Sequence, residues 1–282
     1  MVIGIIIILS FIVSFLLSVA EKSFGEKIGV VEIEGVIVQS KELMDDIVRF
    51  KDNETIKGVI IRINSPGGSV GPTQEIHREI KKLKEKKKVY VSMGSVCASG
   101  GYYIATAGEK IFASPSTITG SIGVIMEHAV IEDLLKKLGI HADALKSGEF
   151  KDAGSPFRKM KPEEKRYLQH VLSTIHNQFI QDVAEGRKMP LQVVRELSDG
   201  RIYTGTQAKE AGLIDTLGSF YDAVDELQKV LNIKGKPELV YGKRPFSLLK
   251  WITTSLVHEL ASYLFSEPFK FEYHPGSSMI HH

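Results

Sequence analysis

The chain has 282 residues, of which 43% are hydrophobic and 25% charged, and its formal net charge is +2. This length suffices to bury a complete core in one large or two small domains. The small net charge argues against a nucleic-acid partner. Cys97 is the only cysteine, which excludes an intrachain disulfide, and we expect it to be a small buried thiol. The phosphate-binding motif GxxxxGK[ST] does not occur in the sequence, so nothing in it suggests ATP use. No cofactor or metal site is predicted.

The N-terminal segment 2–20 is uncharged and consists mainly of Ile, Leu, Val and Phe. Its length, at about 1.5 Å per residue, is enough to cross most of a bilayer core, which predicts a transmembrane helix. Only Ser18-Val19-Ala20 offers a weak cleavage site, so an uncleaved anchor is favoured over a signal peptide. Lys22 and Lys27 follow the segment, and the positive-inside rule alone would place the next domain in the cytoplasm.

Strand and helix patterns alternate through the middle of the chain. Strands are predicted at 28–34, 58–63, 89–93, 110–113, 142–147 and 238–241, and helices at 41–50, about 73–86, after Ser99, and at 131–138, 162–187, 205–211 and 219–231. Such alternation predicts an α/β fold with a mainly parallel sheet. The long helix 162–187 has an apolar face formed by Leu168, Val171, Leu172, Ile175 and Phe179.

The sequence divides into three parts. Residues 1–27 form the predicted membrane anchor and linker, and residues 28–242 the α/β domain. Residues 243–282 include an apolar helical pattern at 245–265, interrupted by charges, and a polar tail. We expect an amphipathic helix there rather than a second membrane span.

Three loops carry candidate catalytic groups. The loop 64–70 (NSPGGSV) follows a buried strand, and its glycines leave backbone N–H groups free to face a ligand. Ser99 lies at a strand-to-helix corner, where its hydroxyl is either a nucleophile or a plain N-cap. Lys151 lies in the third loop, 146–158 (KSGEFKDAGSPFR). A serine nucleophile needs an unprotonated base, and a lysine serves as one only where desolvation lowers its pKa.

Five motifs in order resemble the signal peptide peptidase A family of serine proteases. They are NSPGGSV, SVCASGGYYIATAG, TITGSIGVIM, KSGEFKDAGSPFR and DGRIYTGTQAKEAGLID, and they extend over about residues 28–231. Each occurs once, as in the short, single-unit form of the family. The resemblance implies a fold similar to Clp protease and crotonase, built from repeated ββα units. It also implies a single-pass membrane anchor with the protease outside the cytoplasm. We prefer this orientation to the opposite one that the flanking lysines indicate.

The same resemblance implies a role for five residues. Ser99 matches the nucleophile and Lys151 the general base of a Ser/Lys dyad. Ser121 matches the hydroxyl that holds the lysine amine, and the N–H groups of Gly68 and Gly100 match the oxyanion hole. The family implies peptide substrates, namely leftover signal peptides and unfolded chains. Its short form implies a homo-oligomeric ring, an octamer, in which serine and lysine come from adjacent subunits.

Other functions share some of these features. A crotonase-type acyl-CoA enzyme shares the fold but has no use for Ser99 and Lys151 as a pair. A Clp-type protease needs a Ser/His/Asp triad, for which His128 is the nearest downstream histidine. A stomatin-directed membrane protease also uses serine and lysine, but its motifs match less well, and a non-catalytic membrane scaffold is the remaining alternative.

Overall fold

The computed structural model describes residues 26–242 and the single residue 14. The strands are β1 (Lys27–Glu34), β2 (Ile56–Ser65), β3 (Lys88–Ala98), β4 (Lys110–Ala113), β5 (Ile118–Gly120), β6 (Ile202–Thr204), β7 (Thr216–Leu217) and β8 (Glu238–Tyr241). The helices are α1 (Lys41–Asp52), α2 (Val70–Lys84), α3 (Gly100–Ala105), α4 (Glu132–Lys137), α5 (Pro162–Arg187), α6 (Leu191–Glu196), α7 (Gly205–Glu210) and α8 (Phe220–Val230).

The strands form one mainly parallel sheet, in the order β6-β5-β3-β2-β1-β8, while β4 pairs with β3 and β7. Every pairing is parallel except that of β5 with β6. The central strands read as continuous apolar runs because helices cover both faces, and Val59, Ile60 and Ile61 are fully buried. The predicted α/β class with a mostly parallel sheet is confirmed.

Strand β3 is longer than predicted because it changes partners along its length. Its first half pairs with β4, and its last residues, Val96–Ala98, pair with β5. The register against β2 shifts between these halves, where Gly94 passes so close to Asn64 that an added Cβ would lie 2.8 Å from the Asn64 side chain. The Asn64 side-chain oxygen accepts a hydrogen bond from the Val96 N–H at 3.2 Å. This kink carries the end of β3 away from β4 and delivers Ser99 beside β5.

Helix α5 has the predicted bounds, but its apolar face is only partly covered by this chain. Phe179, Ile180 and Val183 in its second half are buried. Val171, in the first half, keeps 37% of its surface exposed. The apolar pattern extends further along α5 than the packing partners that the described residues provide.

The strand predicted at 142–147 is wrong. These residues have no regular secondary structure, and the whole stretch 141–150 is exposed. Alternating apolar and polar residues favour a strand, but a strand also needs a neighbour for its backbone groups, and no described strand pairs with this stretch.

The predicted membrane span at 2–20 and the predicted amphipathic helix at 245–265 lie outside the described residues, apart from residue 14. Within the described part of the chain, no helix combines the length and apolar character needed to cross a bilayer.

Candidate active site

Ser99 occupies the one-residue corner between β3 and α3 in a strained backbone conformation. Its φ is 51° and its ψ is −120°, a combination unfavourable for a residue with a Cβ. The corner is fixed because the Ser99 N–H donates to the Gly120 carbonyl at 2.8 Å and its carbonyl accepts from the Tyr103 N–H at 2.9 Å. The side chain makes no capping hydrogen bond. The plain N-cap interpretation is therefore wrong, and the hydroxyl is available for another task.

The short helix after Ser99 is held by close backbone packing. A Cβ on Gly101 would lie 2.9 Å from the Ser65 carbonyl oxygen, so only glycine fits. Tyr102 is fully buried and its hydroxyl donates to the Leu213 carbonyl at 2.9 Å. Cys97 is also fully buried, which raises the pKa of its thiol and leaves it unsuited to nucleophilic chemistry.

The loop after β2 presents a free backbone N–H beside Ser99. Ile37 pairs with this loop, donating to the Gly67 carbonyl at 2.9 Å and accepting from the Ser69 N–H at 2.7 Å. These two bonds fix the loop but leave the Gly68 N–H between them unused. In the described part of the protein neither this group nor the Gly100 N–H, in the first turn of α3, has an acceptor.

The two free N–H groups converge at the nucleophile. An ideal Cβ built on Gly100 would lie 3.3 Å from the Gly68 nitrogen, and one built on Gly67 would lie 2.7 Å from the Gly100 nitrogen and 2.9 Å from the Ser99 Cβ. Two backbone donors beside a serine hydroxyl are the arrangement that stabilises the oxyanion of acyl transfer.

A pocket of about 110 Å³ opens next to Ser99. It is lined by the loop after β2, the Ser99 corner, helices α2, α3 and α5, and the segment after β5. The lining residues are Gly68, Val70, Thr73, Gln74, Ser99, Gly100, Tyr103, Gly123, Val124, Ile125, Ile175 and Phe179. Sequence analysis identified Gly68, Gly100 and Ser99 as parts of the site, but not Thr73 or Tyr103. The apolar side chains suit an uncharged substrate side chain.

The lining contains no lysine, histidine, aspartate or glutamate. Lys151 and His128 are both exposed and do not line the pocket. Tyr103 is the only residue with an ionisable side chain in the lining, and burial, followed by its hydrogen bond to Asp182, raises its pKa, so it keeps its proton. Within one chain, the structure brings Ser99, Gly68 and Gly100 together but supplies Ser99 with no base.

Two family models match the chain, and their matched ranges overlap around Ser99. The model described as Peptidase family S49 matches residues 81–234, and the Clp protease model matches residues 30–119. The first match covers more than half of the 282 residues and includes Ser99, Ser121 and Lys151. The chain belongs to peptidase family S49. It is therefore a serine peptidase with a Clp protease-like domain.

Individual relatives of this S49 peptidase agree with that assignment. A Synechocystis sp. protein named "Putative protease slr0021" is 41% identical over 71% of this chain and 73% of its own length. The "Putative signal peptide peptidase SppA" of Enterococcus faecium is 37% identical over 74% of this chain and 65% of its own length. The chloroplastic "Serine protease SPPA" of Arabidopsis thaliana is 33% identical over 81% of this chain, which spans only 34% of that longer protein.

The Lys151 segment of the S49 peptidase is held by an ionic cluster of residues on both sides of Lys151 in the sequence. Asp152 binds Lys146 and, at 2.8 Å, Arg158, which also pairs with the fully buried Glu164. The hydrogen bond from Arg158 lowers the pKa of Glu164 to about 2. Asp152 is thus engaged by other cations, and the Lys151 ammonium has no hydrogen bond or ion pair with any described residue.

Ser121 lies two residues before the pocket-lining Gly123, directly after β5. Its φ is 51°, and its N–H donates to the Arg201 carbonyl at 2.8 Å. Its hydroxyl has no partner among residues 26–242. These residues also contain no cluster of side chains suited to bind a metal ion.

We expect Gly68→Ala to damage both the fold and the site. Its Cβ would lie 2.1 Å from the Ile37 carbonyl oxygen and 2.6 Å from the Ile37 nitrogen, and backbone atoms cannot rotate away. The loop must shift, at a cost of about 1–3 kcal/mol or more. Urea unfolding should show a lower midpoint, and labelling of Ser99 by a fluorophosphonate should be slower.

Gly71→Ala is the matched control, because nothing lies within 4 Å of its added Cβ in the first turn of α2. This variant should label like the wild type and gain up to about 1 kcal/mol of helix stability. Equal stability and equal labelling for Gly68→Ala would contradict the proposed close crossing at Ile37.

Proposed function

We propose that this serine peptidase is a membrane-anchored endopeptidase that uses Ser99 as nucleophile and Lys151 as general base. The observation that carries the proposal is the Ser99 corner: a serine with φ 51°, an uncapped hydroxyl, and two unused N–H groups beside it. Strain of this kind is retained where the surrounding structure needs a reactive group to project. The family match over both Ser99 and Lys151 supports the assignment of the pair.

The proposed reaction proceeds by acyl transfer. Lys151 as a free amine takes the Ser99 proton while the Ser99 oxygen bonds to the peptide carbonyl carbon, whose π pair moves onto the oxygen. The N–H groups of Gly68 and Gly100 stabilise that oxyanion. The C–N bond then breaks as the lysine returns the proton to the leaving amine. Water repeats the sequence on the acyl-enzyme, which releases the second product and restores Ser99.

The lysine is proposed to come from an adjacent subunit. Within one chain Lys151 is exposed and absent from the pocket, so it is neither placed beside Ser99 nor desolvated there. A neighbouring copy would supply both conditions by covering the segment that carries it. Ser121, at the end of β5 beside the Ser99 corner, is then positioned to hold the incoming amine with its unpartnered hydroxyl.

Exposed apolar side chains support the assembly of a ring. In the segment between the pocket and α5, large apolar residues are well exposed, namely Ile125 (79%), Leu134 (56%), Leu138 (64%) and Leu145 (104%). We propose that these side chains are covered by a neighbouring copy, because a soluble protein rarely leaves many large apolar groups of one segment exposed. A head-to-tail contact between copies generates a closed ring when the rotation between subunits closes, and we propose the octamer of the short family form.

We further propose the substrates and the location. An apolar pocket next to Ser99 suits the hydrophobic residues of leftover signal peptides and unfolded chains, and a relative is named a signal peptide peptidase. Residues 1–27 would anchor the domain 28–242 in the cell membrane as a single-pass protein, with the domain on the extracytoplasmic side and residues 243–282 as an appended amphipathic helix and tail. We also propose that the fold is built from repeated ββα units and is related to crotonase.

Removing residues 1–25 is expected to release a soluble, folded and active protein. The core begins at β1, and the ion pair between Lys27 and Glu238 at its edge, at 3.2 Å, remains intact. The measurement is hydrolysis of a fluorogenic peptide by protein purified without detergent. A truncated protein that still needs detergent would contradict the single anchor and would indicate attachment through residues 245–265.

Fluorophosphonate labelling of the full chain tests the function directly. A peptidase should be labelled at Ser99, as shown by mass spectrometry, and should cleave a casein substrate. An acyl-CoA enzyme or a non-catalytic scaffold would not be labelled there. Cleavage profiles on signal-peptide and stomatin-derived peptides then separate the proposed function from its stomatin-directed alternative.

A further inference from the structure

Thr73 lies in the first turn of α2 and lines the pocket next to Ser99. Only 4% of the residue is exposed. Its hydroxyl oxygen is the one buried side-chain nitrogen or oxygen atom without a hydrogen-bond partner in the described part of the chain. A buried polar atom left without a partner destabilises a fold, so its presence beside a nucleophile indicates a role that begins when another molecule binds.

Other buried hydroxyls in this protein donate hydrogen bonds to nearby backbone carbonyls. Thr106 donates to the Tyr103 carbonyl at 2.7 Å, Ser198 to the Val194 carbonyl at 2.6 Å, and Thr119 to the Cys97 carbonyl at 2.7 Å. A helical threonine can usually bond to the carbonyl four residues earlier. At Thr73 that carbonyl, of Ser69, accepts only the backbone N–H, at 3.2 Å. The Thr73 hydroxyl therefore makes no hydrogen bond to the backbone of its own helix.

The Thr73 hydroxyl oxygen lies close to the two free backbone donors. An ideal Cβ on Gly100 would lie 2.8 Å from the Thr73 Oγ1 and 3.3 Å from the Gly68 nitrogen. That single point is therefore close to Thr73 Oγ1, to the Gly68 N–H and to the residue that follows Ser99. Three groups able to donate hydrogen bonds surround one small volume.

We infer that the Thr73 hydroxyl is a third donor to the oxyanion, in addition to the N–H groups of Gly68 and Gly100. This inference rests on the proposed function. As the Ser99 oxygen bonds to the carbonyl carbon, the Ser99 proton passes to the base and the π pair moves onto the carbonyl oxygen. That anion accepts a hydrogen bond from Thr73 Oγ1–H. A donor with no competing acceptor in the resting protein breaks no hydrogen bond when it reaches the anion, and its bond is strongest to the anion, so it lowers the barrier rather than KM.

Thr73→Val is the decisive variant, because valine keeps the shape of threonine and removes the hydroxyl. In the full-length protein, kcat on a fluorogenic peptide should fall about 100-fold, as for loss of one oxyanion donor, with KM within about twofold. The melting temperature should stay equal or rise, since an unpartnered buried hydroxyl is lost. Thr73→Ser should keep most of the activity. The inhibition constant of a leucine-ending peptide aldehyde, which forms a hemiacetal on the serine, should rise in parallel with the loss of kcat/KM.

Thr174→Val is the matched control, since this exposed helical hydroxyl donates to the His170 carbonyl and should leave kcat unchanged. Wild-type kcat in Thr73→Val would overturn the inference, as would a loss explained entirely by a lower folded fraction. If the valine variant does not fold, Thr73→Ala gives the same comparison of kcat with aldehyde inhibition. Hydrolysis retained by Ser99→Ala would instead overturn the proposed function, whereas an inactive Ser99→Ala beside a fully active Thr73→Val would overturn only the role of Thr73.

Discussion

Lys151→Ala is expected to abolish peptide hydrolysis as completely as Ser99→Ala, with a loss of about 10⁴-fold or more in kcat for each. The reason is that the pocket of one chain contains no residue that can take the Ser99 proton, since Tyr103 is held protonated by burial and by Asp182, so the proposed base Lys151 has no substitute there. The measurement is steady-state cleavage of a fluorogenic peptide, with circular dichroism to show that each variant is folded.

Two control variants separate the dyad from the alternatives. His128→Ala should keep most of the activity, because His128 is exposed and does not line the pocket. Lys159→Ala removes an exposed lysine from the same loop region and should also be active. An essential His128 with a dispensable Lys151 would refute the dyad and restore a Ser/His/Asp triad.

Mixing inactive Ser99→Ala and Lys151→Ala proteins is expected to restore hydrolysis. If each site takes its serine from one subunit and its lysine from the next, an equal mixture with random exchange pairs an intact serine with an intact lysine at about a quarter of the sites. Activity should therefore recover from near zero to about a quarter of the wild-type value. The expectation follows from the exposure of Lys151 and its absence from the pocket of its own chain.

Subunit exchange has to be demonstrated in the same experiment, by energy transfer between differently labelled proteins. The double variant Ser99→Ala/Lys151→Ala mixed with either single variant is the control and should stay inactive. Proven exchange without recovered activity would mean that each dyad forms within one chain, after a rearrangement that brings the Lys151 loop over Ser99.

Local sequence patterns determined most of the architecture. The apolar runs of β1, β2 and β3, the bounds of β4 and α5, and the glycine-rich loop after β2 all follow from residue periodicity and from glycine and proline placement. These features are short-range, because each depends on residues a few positions apart. The position of Ser99 at a strand-to-helix corner was predicted for the same reason.

The failed strand at 142–147 shows where local patterns stop being sufficient. The alternation there satisfies the side-chain period of a strand, but strand formation also depends on a backbone partner that is distant in sequence. The uncovered part of the α5 face has the same origin, since an apolar stripe specifies that a face should be buried but not what buries it.

The sequence by itself determined the α/β class, the nucleophile candidate and, through the order of five motifs, the peptidase family. The tertiary structure decided that the N–H groups of Gly68 and Gly100 lie close to the Thr73 hydroxyl. It also decided that Lys151 lies outside the pocket of its own chain. The physical reason is that a hydrogen bond depends on distances of about 3 Å between groups far apart in sequence. Residue spacing along the chain does not encode such distances, so only the crossing of Ile37 over the Gly68 loop and the kink in β3 brought these groups together.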